Sequence, residues 1–321
     1  MTQTIMVPLD GSAFAERAVE AAIALARTGN VRVHLVQAHE PPIVPSSPDV
    51  LVPYDAEWDA VRRREEQEYL QTVANRVSER AGVPVRSEVV DGPPAMSLAM
   101  YARDMEVDLI VMTTHGRSGL SRLWLGSVAD GVVRRSGVPV LLIRAGESAT
   151  EPIDLYPRHI LIPLDGSELS KGVLEPALWL GSIFGARYTL LRVVLPAAVL
   201  RPPVTLGDSD FVDGVLAEQE THAKEFLEGV AKPLRARGLD VETLVVSHSV
   251  PAQAILEQSE ACIADMVAIA THGRGGWSRL ALGSVADKVL RASSVPALVY
   301  RPSAKVNNEQ HAFPGVADAA I

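Results

Sequence analysis

The sequence predicts an α/β protein built twice, as two tandem doubly wound domains that each carry a five-stranded, mainly parallel sheet with helices on both faces. Short apolar, β-branched runs alternate with segments of helical periodicity, which favours right-handed crossovers between parallel strands. The whole series then occurs a second time in the same order. A length of 321 residues also suits two domains of roughly 150 residues each.

In the first copy, turn residues separate the apolar runs from the helical patterns. Strands are expected over residues 4–9, 31–38, 83–90, 107–112 and 138–144, and helices from Ser12 to Gly29 and over 59–80, 95–103 and 127–135. Ser12 is the expected N-cap of the first helix and Ser127 that of the fourth, with Asp130 as its capping-box acid. The Pro-rich segment 41–48 is expected to be a loop.

The helix over 59–80 is rich in Arg and Glu, and its charged face is expected to lie in solvent. Its apolar residues at helical spacing are Val61, Tyr69, Leu70, Val73 and Val77. We therefore expect this stripe to pack on the sheet.

The second copy repeats the pattern, with strands over 160–164, 188–195 and 295–300 and a charged helix over 212–237. Pro176 falls inside the expected first helix of this copy. A proline in the helix interior costs up to ~3 kcal/mol, so we expect Pro176 early in the helix or at a kink.

Shifts in composition set the expected domain boundaries at 1–146 for the first domain and 158–302 for the second. The segment between them, 147–157, lacks periodicity and is expected to be a linker. The polar tail, 303–321, is expected to pack poorly.

Composition excludes several classes of partner. A net charge of −9 argues against nucleic acid, because its binding needs a basic face. The single cysteine, Cys262, has no internal disulfide partner; it fits a reducing compartment and is expected to be a small buried apolar residue. We find neither a signal peptide nor an apolar run near the ~20 residues of a membrane helix, so we expect a cytoplasmic protein without membrane contact.

The most informative stretch runs from Met112 to Asp130 and has a near copy within residues 265–287. A buried strand leads into a glycine loop and then a helix, which is the layout of an anion site. Gly116 and Gly119 would let a phosphate approach the backbone, and the helix that begins near Ser127 would add unpaired N–H groups and the positive end of its dipole. A single loop of this kind is often only a tight turn, so the second copy strengthens the prediction of a nucleotide site.

Ligands of open parallel sheets bind outside the carboxyl ends of the strands, where neighbouring connections diverge. We expect adenine against the first two strand ends, read by the backbone near Ala38, and the triphosphate at the glycine loop. Asp10 and Asp165 either hold Mg²⁺ through water or cap the following helix. Arg117 and Arg274 either reach a phosphate or face water.

These features resemble the universal stress protein family, specifically its ATP-binding branch and its tandem-domain members. The family loop runs Gly-x2-Gly-x9-Gly-Ser/Thr, and the resemblance implies ATP binding, with or without Mg²⁺, in Rossmann-like domains that lack a Walker sequence. The first loop glycine is replaced by Thr113 and Ala270, at a position that the family places near the ribose. The residues expected at the nucleotide are Asp10, Ala38, Thr113, Gly116, Arg117, Gly119, Gly126, Ser127 and Val128 in the first copy, and Asp165, Val193, Ala270, Gly273, Arg274, Gly276, Gly283, Ser284 and Val285 in the second.

The expected function is that of an ATP-binding universal stress protein, a nucleotide-dependent regulatory or stress-response module with at most slow hydrolysis. The sequence contains no GxSxG, HExxH or P-loop lysine motif. Two alternatives stay open: an adenine-nucleotide-using enzyme of the hydrolase or adenylyltransferase kind, and a structural association module without nucleotide. We expect no metal site, because His115 and His272 have no second ligand at metal spacing.

The apolar last strands of the two copies, over 138–143 and 295–300, would each lie at a sheet edge, which is a liability unless it is paired. We expect the two copies to pair through these strands about a pseudo-two-fold axis, as the family resemblance also implies. A further homodimer and an unidentified protein partner are expected as well.

Overall fold

The computed structural model describes residues 2–28, 30–40, 56–114, 125–144, 155–196, 209–271 and 282–301, and all structural statements below concern these residues. The chain divides into two compact units, Met1–Leu155 and Tyr156–Ile321. Each unit is an α/β domain with a parallel sheet, which confirms the predicted fold class. The predicted tail and most of the predicted linker lie outside the described residues.

The first unit alternates strands and helices along its length. Its strands are β1 (Gln3–Leu9), β2 (Val31–His39), β3 (Val85–Asp91), β4 (Leu109–Thr113) and β5 (Val140–Ile143). Its helices are α1 (Ala13–Thr28), α2 (Ala56–Ala81), α3 (Pro94–Asp104) and α4 (Ser127–Arg135). The strands pair in parallel in the order β3-β2-β1-β4-β5.

The second unit repeats this series. Its strands are β6 (His159–Pro163), β7 (Arg187–Val194), β8 (Val241–Ser247), β9 (Met266–Ala270) and β10 (Ala297–Tyr300). Its helices are α5 (Glu168–Lys171), α6 (Leu174–Phe184), α7 (Ser209–Ala236), α8 (Pro251–Ala261) and α9 (Ser284–Ala292). The strands pair in parallel in the order β8-β7-β6-β9-β10.

The strand order reverses direction between β1 and β4 in the first unit and between β6 and β9 in the second. In the first unit α1 packs against α2, and α3 packs against α4. Right-handed crossovers that run in opposite directions from such a point place their helices on opposite faces of the sheet. The carboxyl ends of the two central strands therefore flank a crevice in each unit.

The prediction for Pro176 is confirmed. Pro176 is the third residue of α6, and the first helical bond runs from the Ala177 N–H to the Val173 carbonyl oxygen at 3.1 Å. A proline in this first turn removes no helical hydrogen bond, because the first N–H groups of a helix have no carbonyl partner within it.

The buried face of α2 differs from the prediction near the start of the helix. Leu70, Val73 and Val77 are buried as predicted, but Val61 is 43% exposed. Asp59 is buried instead, because it binds a buried histidine of β2. In the described part of the chain, no helix is long and apolar enough to span a bilayer.

Candidate functional site

The predicted crevice of the first unit begins where β1 and β2 end. Leu9 pairs with Gln37, so the next residues along the two strands, Asp10 and Ala38, are level with each other. Both are partly exposed. The structure therefore brings these two predicted site residues together at the carboxyl edge of the sheet.

The second unit repeats this arrangement. Pro163 pairs with Leu191, which places Asp165 level with Val193. Both residues are again partly exposed. Both units therefore place an aspartate beside a partly exposed apolar residue at the carboxyl edge of the sheet.

Asp10 forms a tight turn that starts α1. Its Oδ1 accepts hydrogen bonds from the backbone N–H of Ser12 at 2.9 Å and from the Ser12 hydroxyl at 2.6 Å. The Ser12 Oγ in turn accepts the Ala15 N–H at 3.1 Å, which confirms Ser12 as the N-cap of α1. Gly11 has φ of 81°, a backbone conformation that glycine adopts without strain.

The same turn occurs at the start of α5. Asp165 Oδ1 accepts the Ser167 N–H at 2.9 Å and the Ser167 hydroxyl at 2.6 Å. The Ser167 Oγ accepts the Ser170 N–H at 3.2 Å. One carboxylate oxygen of each aspartate thus orients a helix cap, which fixes the position of the carboxylate at the crevice.

The two ends of the glycine loop in the first unit meet at one residue. The Thr114 N–H donates to the Ile143 carbonyl oxygen at 3.0 Å, which continues the pairing of β4 with β5. The Gly126 N–H donates to the Thr114 carbonyl oxygen at 2.8 Å. The two described residues that flank the loop, Thr114 and Gly126, are therefore hydrogen-bonded to each other.

The second unit closes its loop in the same way, with the Thr271 N–H on the Tyr300 carbonyl oxygen at 3.0 Å and the Gly283 N–H on the Thr271 carbonyl oxygen at 2.8 Å. A Cβ at Gly283 would lie 2.5 Å from that Thr271 oxygen. Only glycine fits this close backbone approach.

The helix that follows the loop spans Ser127–Arg135 as predicted, but its cap differs from the prediction. Gly126, not Ser127, is the N-cap of α4, and it has no side chain with which to cap. Its carbonyl oxygen accepts the first helical bond, from the Asp130 N–H at 2.9 Å. Ser127 is already the first helical residue, so the prediction that its side chain caps the helix is wrong. The backbone N–H groups of Ser127 and Val128 precede the first helical bond and have no carbonyl partner within the helix.

Asp130 is not a capping-box acid either. Both of its carboxylate oxygens bind Arg134 four residues later, at 2.7 and 2.8 Å. Asp287 and Arg291 form the same pair in α9, which starts at Ser284 after the N-cap Gly283. Among the residues that the structure describes, the N-cap of each helix therefore makes no side-chain cap hydrogen bond.

The position of the replaced loop glycine lies at the last residue of the central strand. Thr113 is buried and pairs with Ile143, whereas Ala270 is partly exposed and pairs with Tyr300. The two crevices therefore differ in size and polarity at this point. The remaining predicted residues lie outside the described residues; they are Gly116, Arg117, Gly119, Gly273, Arg274 and Gly276.

A polar cluster beside the first crevice was not predicted from the sequence. The buried ring of His39, the last residue of β2, lies between the carboxylates of Asp59 and Glu66. Helical spacing could have indicated this cluster, because Asp59 and Glu66 occupy positions on the same face of α2 as the buried Leu70 and Val77. Among the described side chains, no group of three or more His, Cys, Asp or Glu residues is arranged to hold a metal ion.

Cys262 caps the carboxyl end of α8 and is partly buried rather than fully buried as expected. Burial raises the pKa of its thiol. It therefore has the properties of a packing residue more than those of a reactive thiolate.

Comparison with known proteins supports the fold and extends it to a family. The chain is 29% identical to a universal stress protein of Mycobacterium tuberculosis over 258 residues, which is 78% of this chain and 82% of that protein. It is 25% identical to a universal stress protein of Mycolicibacterium smegmatis over 301 residues, covering 93% of this chain and 97% of the relative. The crystal structure of a universal stress protein from Archaeoglobus fulgidus superposes with a TM-score of 0.67 at 20% identity, covering 94% of this chain and 98% of that one.

Both halves of the chain match the same family. The sequence profile of the universal stress protein family fits residues 1–144 and again residues 157–301. With both repeats matched, the chain belongs to the universal stress protein family, as a tandem-domain member.

Proposed function

We propose that each unit binds an adenine nucleotide, ATP, at the carboxyl edge of its sheet, and that occupancy makes the protein a nucleotide-dependent regulatory module of a stress response. The observation that carries this proposal is the uncapped helix start beside a pinned loop, which occurs in both units.

The phosphate end of the proposed site is the first turn of α4 and of α9. Four backbone N–H groups face outward from these two helix starts, those of Ser127, Val128, Ser284 and Val285. The positive end of the helix dipole adds to the attraction for a phosphate. Gly283 carries no side chain, which lets the Thr271 carbonyl oxygen hold the start of α9 closely. This arrangement binds a polyanion through backbone amides rather than through lysine.

The nucleoside end of the proposed site lies across the crevice. Ala38 and Val193 are the last-but-one residues of β2 and β7 and are partly exposed, which supports the proposal that their backbone groups read the edge of adenine. Asp10 and Asp165 lie beside them, and we propose that they stand at the nucleotide and contact its bound Mg²⁺ through water. Thr113 and Ala270 would lie near the ribose. The loop residues with Arg117 and Arg274 would complete the phosphate site.

We expect ATP hydrolysis to be slow at most. Fast phosphoryl transfer needs a positioned base and side chains that neutralise charge in the transition state. The sequence contains no P-loop lysine, and the proposed site relies on main-chain donors. Nucleotide occupancy would therefore act as a signal.

The sharpest test removes one backbone donor without removing the helix. Ser127→Pro deletes the N–H at the first helical position, where proline is well tolerated, and Gly126 has φ of −57° and ψ of 148°, the conformation that a following proline requires. The protein already uses this arrangement, because α3 and α8 start with Pro94 and Pro251. Ser127→Ala is the matched control, since it removes only the hydroxyl.

Isothermal titration with ATP measures the result. Loss of one charge-assisted hydrogen bond is worth about 1.5–3 kcal/mol, so Ser127→Pro should weaken one of two sites at least about tenfold. Ser127→Ala should bind as the unaltered protein does, and Ser284→Pro should weaken the other site. No binding of ATP or ADP by the unaltered protein would disprove the proposal, and equal effects of proline and alanine would disprove the backbone-amide mechanism.

A further inference from the structure

The cluster around His39 is unusual because a buried ring contacts two acids and nothing in the proposed nucleotide site requires it. His39 Nδ1 lies 2.7 Å from Glu66 Oε2, and Nε2 lies 3.0 Å from Asp59 Oδ1. The His39 side chain is 1% exposed, and those of Asp59 and Glu66 are 12% and 10% exposed. The three groups are therefore largely removed from solvent.

Hydrogen-bond counting determines how many protons the cluster holds. A neutral imidazole has one donor and one acceptor nitrogen, whereas an ionised carboxylate only accepts. Each nitrogen of His39 faces a carboxylate oxygen, so both contacts are hydrogen bonds only if the ring carries two protons or if one acid is protonated. With both hydrogen bonds formed, the cluster would hold one more proton than a neutral ring between two carboxylates. Losing that proton would set a nitrogen lone pair against a buried carboxylate, which is costly.

The cluster ties α2 to the sheet beside the first crevice. His39 is the last residue of β2 and directly follows Ala38, and its carbonyl oxygen accepts the Gly92 N–H at 3.0 Å. Asp59 lies in the first turn of α2, and Glu66 lies two turns further along. The hydrogen bonds of the ring therefore fix the N-terminal half of α2 against the end of β2.

The second unit shows that the fold itself does not need these charges. Val194 takes the place of His39: it ends β7, and its carbonyl oxygen accepts the His248 N–H at 3.0 Å. Ala223 precedes the buried Leu227 of α7 by one helical turn, as Glu66 precedes Leu70 in α2. Val194 and Ala223 are both buried. Buried apolar side chains thus occupy, in the second unit, the positions that His39 and Glu66 occupy in the first.

Several other charged groups lie around the cluster. On α2, Arg62 Nη2 lies 3.4 Å from Glu66 Oε1. Asp91 at the end of β3 pairs in register with His39 and forms an ion pair with Arg63 of α2. Asp59 and Glu66 also act electrostatically on Arg63, Glu40 follows His39 in the chain, and Asp10 follows β1, the strand that pairs with β2.

We propose that His39, Asp59 and Glu66 form a proton-holding clamp that positions α2 beside the first crevice, so that nucleotide binding by the first unit, and not by the second, weakens as the pH rises. The effect on binding rests on the function proposed above, whereas the clamp itself does not. These are positioning residues, since they act on the crevice through α2. One proton limits the change in affinity to about tenfold per pH unit.

The first measurement uses the unaltered protein without nucleotide. Nitrogen-15 NMR of the histidine rings should show both His39 nitrogens protonated at about pH 8, where an unperturbed imidazole is neutral. If the extra proton lies on an acid instead, carbon-13 NMR should show the carboxyl group of Asp59 or Glu66 protonated at that pH, and this result would also support the clamp. A neutral His39 beside two ionised carboxylates would overturn the proposal.

The second measurement replaces the clamp with the residues of the second unit. The variant His39→Val with Asp59→Leu and Glu66→Ala follows the sequence of that copy, and His222→Gln is the control at an exposed site. The thermal midpoint of the unaltered protein and of the control should fall from about pH 7 to about pH 9 more steeply than that of the triple variant. Parallel profiles would overturn the clamp. If the triple variant does not fold, the thermal midpoints of Glu66→Gln are compared with those of the unaltered protein instead. Glutamine is neutral, so it cannot act as an ionised partner of His39.

The third measurement links the clamp to the nucleotide. ATP titrations of the unaltered protein at about pH 6.5 and 8.5 should show one site that weakens and one that does not, and the triple variant should lose the difference. Two sites with equal pH dependence in the unaltered protein would overturn the link. Absence of ATP binding at both pH values would disprove the function proposed above, while the first two measurements would still decide whether the clamp exists.

Discussion

Gly283→Ala is the substitution whose cost follows most directly from the backbone geometry. The new Cβ would lie 2.5 Å from the Thr271 carbonyl oxygen, closer than a carbon and an oxygen approach without displacement. The same oxygen accepts the Gly283 N–H at 2.8 Å, and the Thr271 N–H is held by Tyr300 at 3.0 Å. Neither partner can move away without lengthening these hydrogen bonds. The φ of −59° at Gly283 suits alanine, so the penalty is steric and not conformational.

The size of the penalty follows from this contact. Overpacking of a well-packed site costs about 1–3 kcal/mol, and a lost backbone hydrogen bond adds about 0.5–1.5 kcal/mol. We expect Gly283→Ala to destabilise the second unit by about 2–4 kcal/mol, and to weaken its nucleotide site because α9 starts at this residue. Urea unfolding followed by circular dichroism measures the midpoint, with the slope of the transition unchanged.

Gly229→Ala is the matched control, and we expect it to raise the free energy of unfolding instead of lowering it. Gly229 lies within α7, is exposed, and a Cβ there would meet no atom within 4 Å. Gly229→Ala should therefore stabilise the protein by about 0.5–1 kcal/mol through helix propensity alone. A urea midpoint for Gly283→Ala equal to or above that of the unaltered protein would refute the steric argument.

Two further predictions concern the start of α1 and a buried histidine. Asp10→Ala removes the acceptor for both the N–H and the hydroxyl of Ser12, so it should cost about 1–2 kcal/mol in urea unfolding, and Asp10→Asn, which keeps an acceptor oxygen, should recover most of that loss. Burial, reinforced by Arg187, lowers the pKa of His159 below its usual value, so the unfolded chain binds the proton more readily than the folded one. The contribution of His159 to stability is thus complete above about pH 6.5 and is lost as the pH falls. The thermal midpoint should drop from about pH 7 to about pH 5, and His159→Thr, which copies Thr4 of the first unit, should reduce that drop; an equal drop in the variant would contradict the assignment.

Most of the fold could be predicted from the sequence because its signals are local and repeated. Strands such as β4 and β9 are continuous apolar runs, and the parallel sheet follows from the alternation of strands with helices. The cap at Ser12 could be predicted because Asp10, Gly11 and Ser12 form a self-contained turn. These features depend on neighbours in the chain.

The predictions for the cap at Ser127 and for the burial of Val61 were wrong, because residues elsewhere in the sequence determine both. Ser127 is a favourable N-cap residue, yet the Thr114 carbonyl oxygen accepts the Gly126 N–H, and Gly126 is the N-cap instead. Val61 fits an apolar stripe, but the ring of His39 draws Asp59 into the buried position instead. Both outcomes depend on contacts between residues that are far apart in the sequence, which helical periodicity does not report.

A crystal structure of the protein grown with Mg·ATP tests the central claim most directly. We predict phosphate oxygens within about 3 Å of the backbone N–H groups of Ser127 and Ser284, with the adenine edge at Ala38 and Val193. Phosphates held only by side chains away from α4 and α9, or crevices closed to nucleotide in both units, would contradict it.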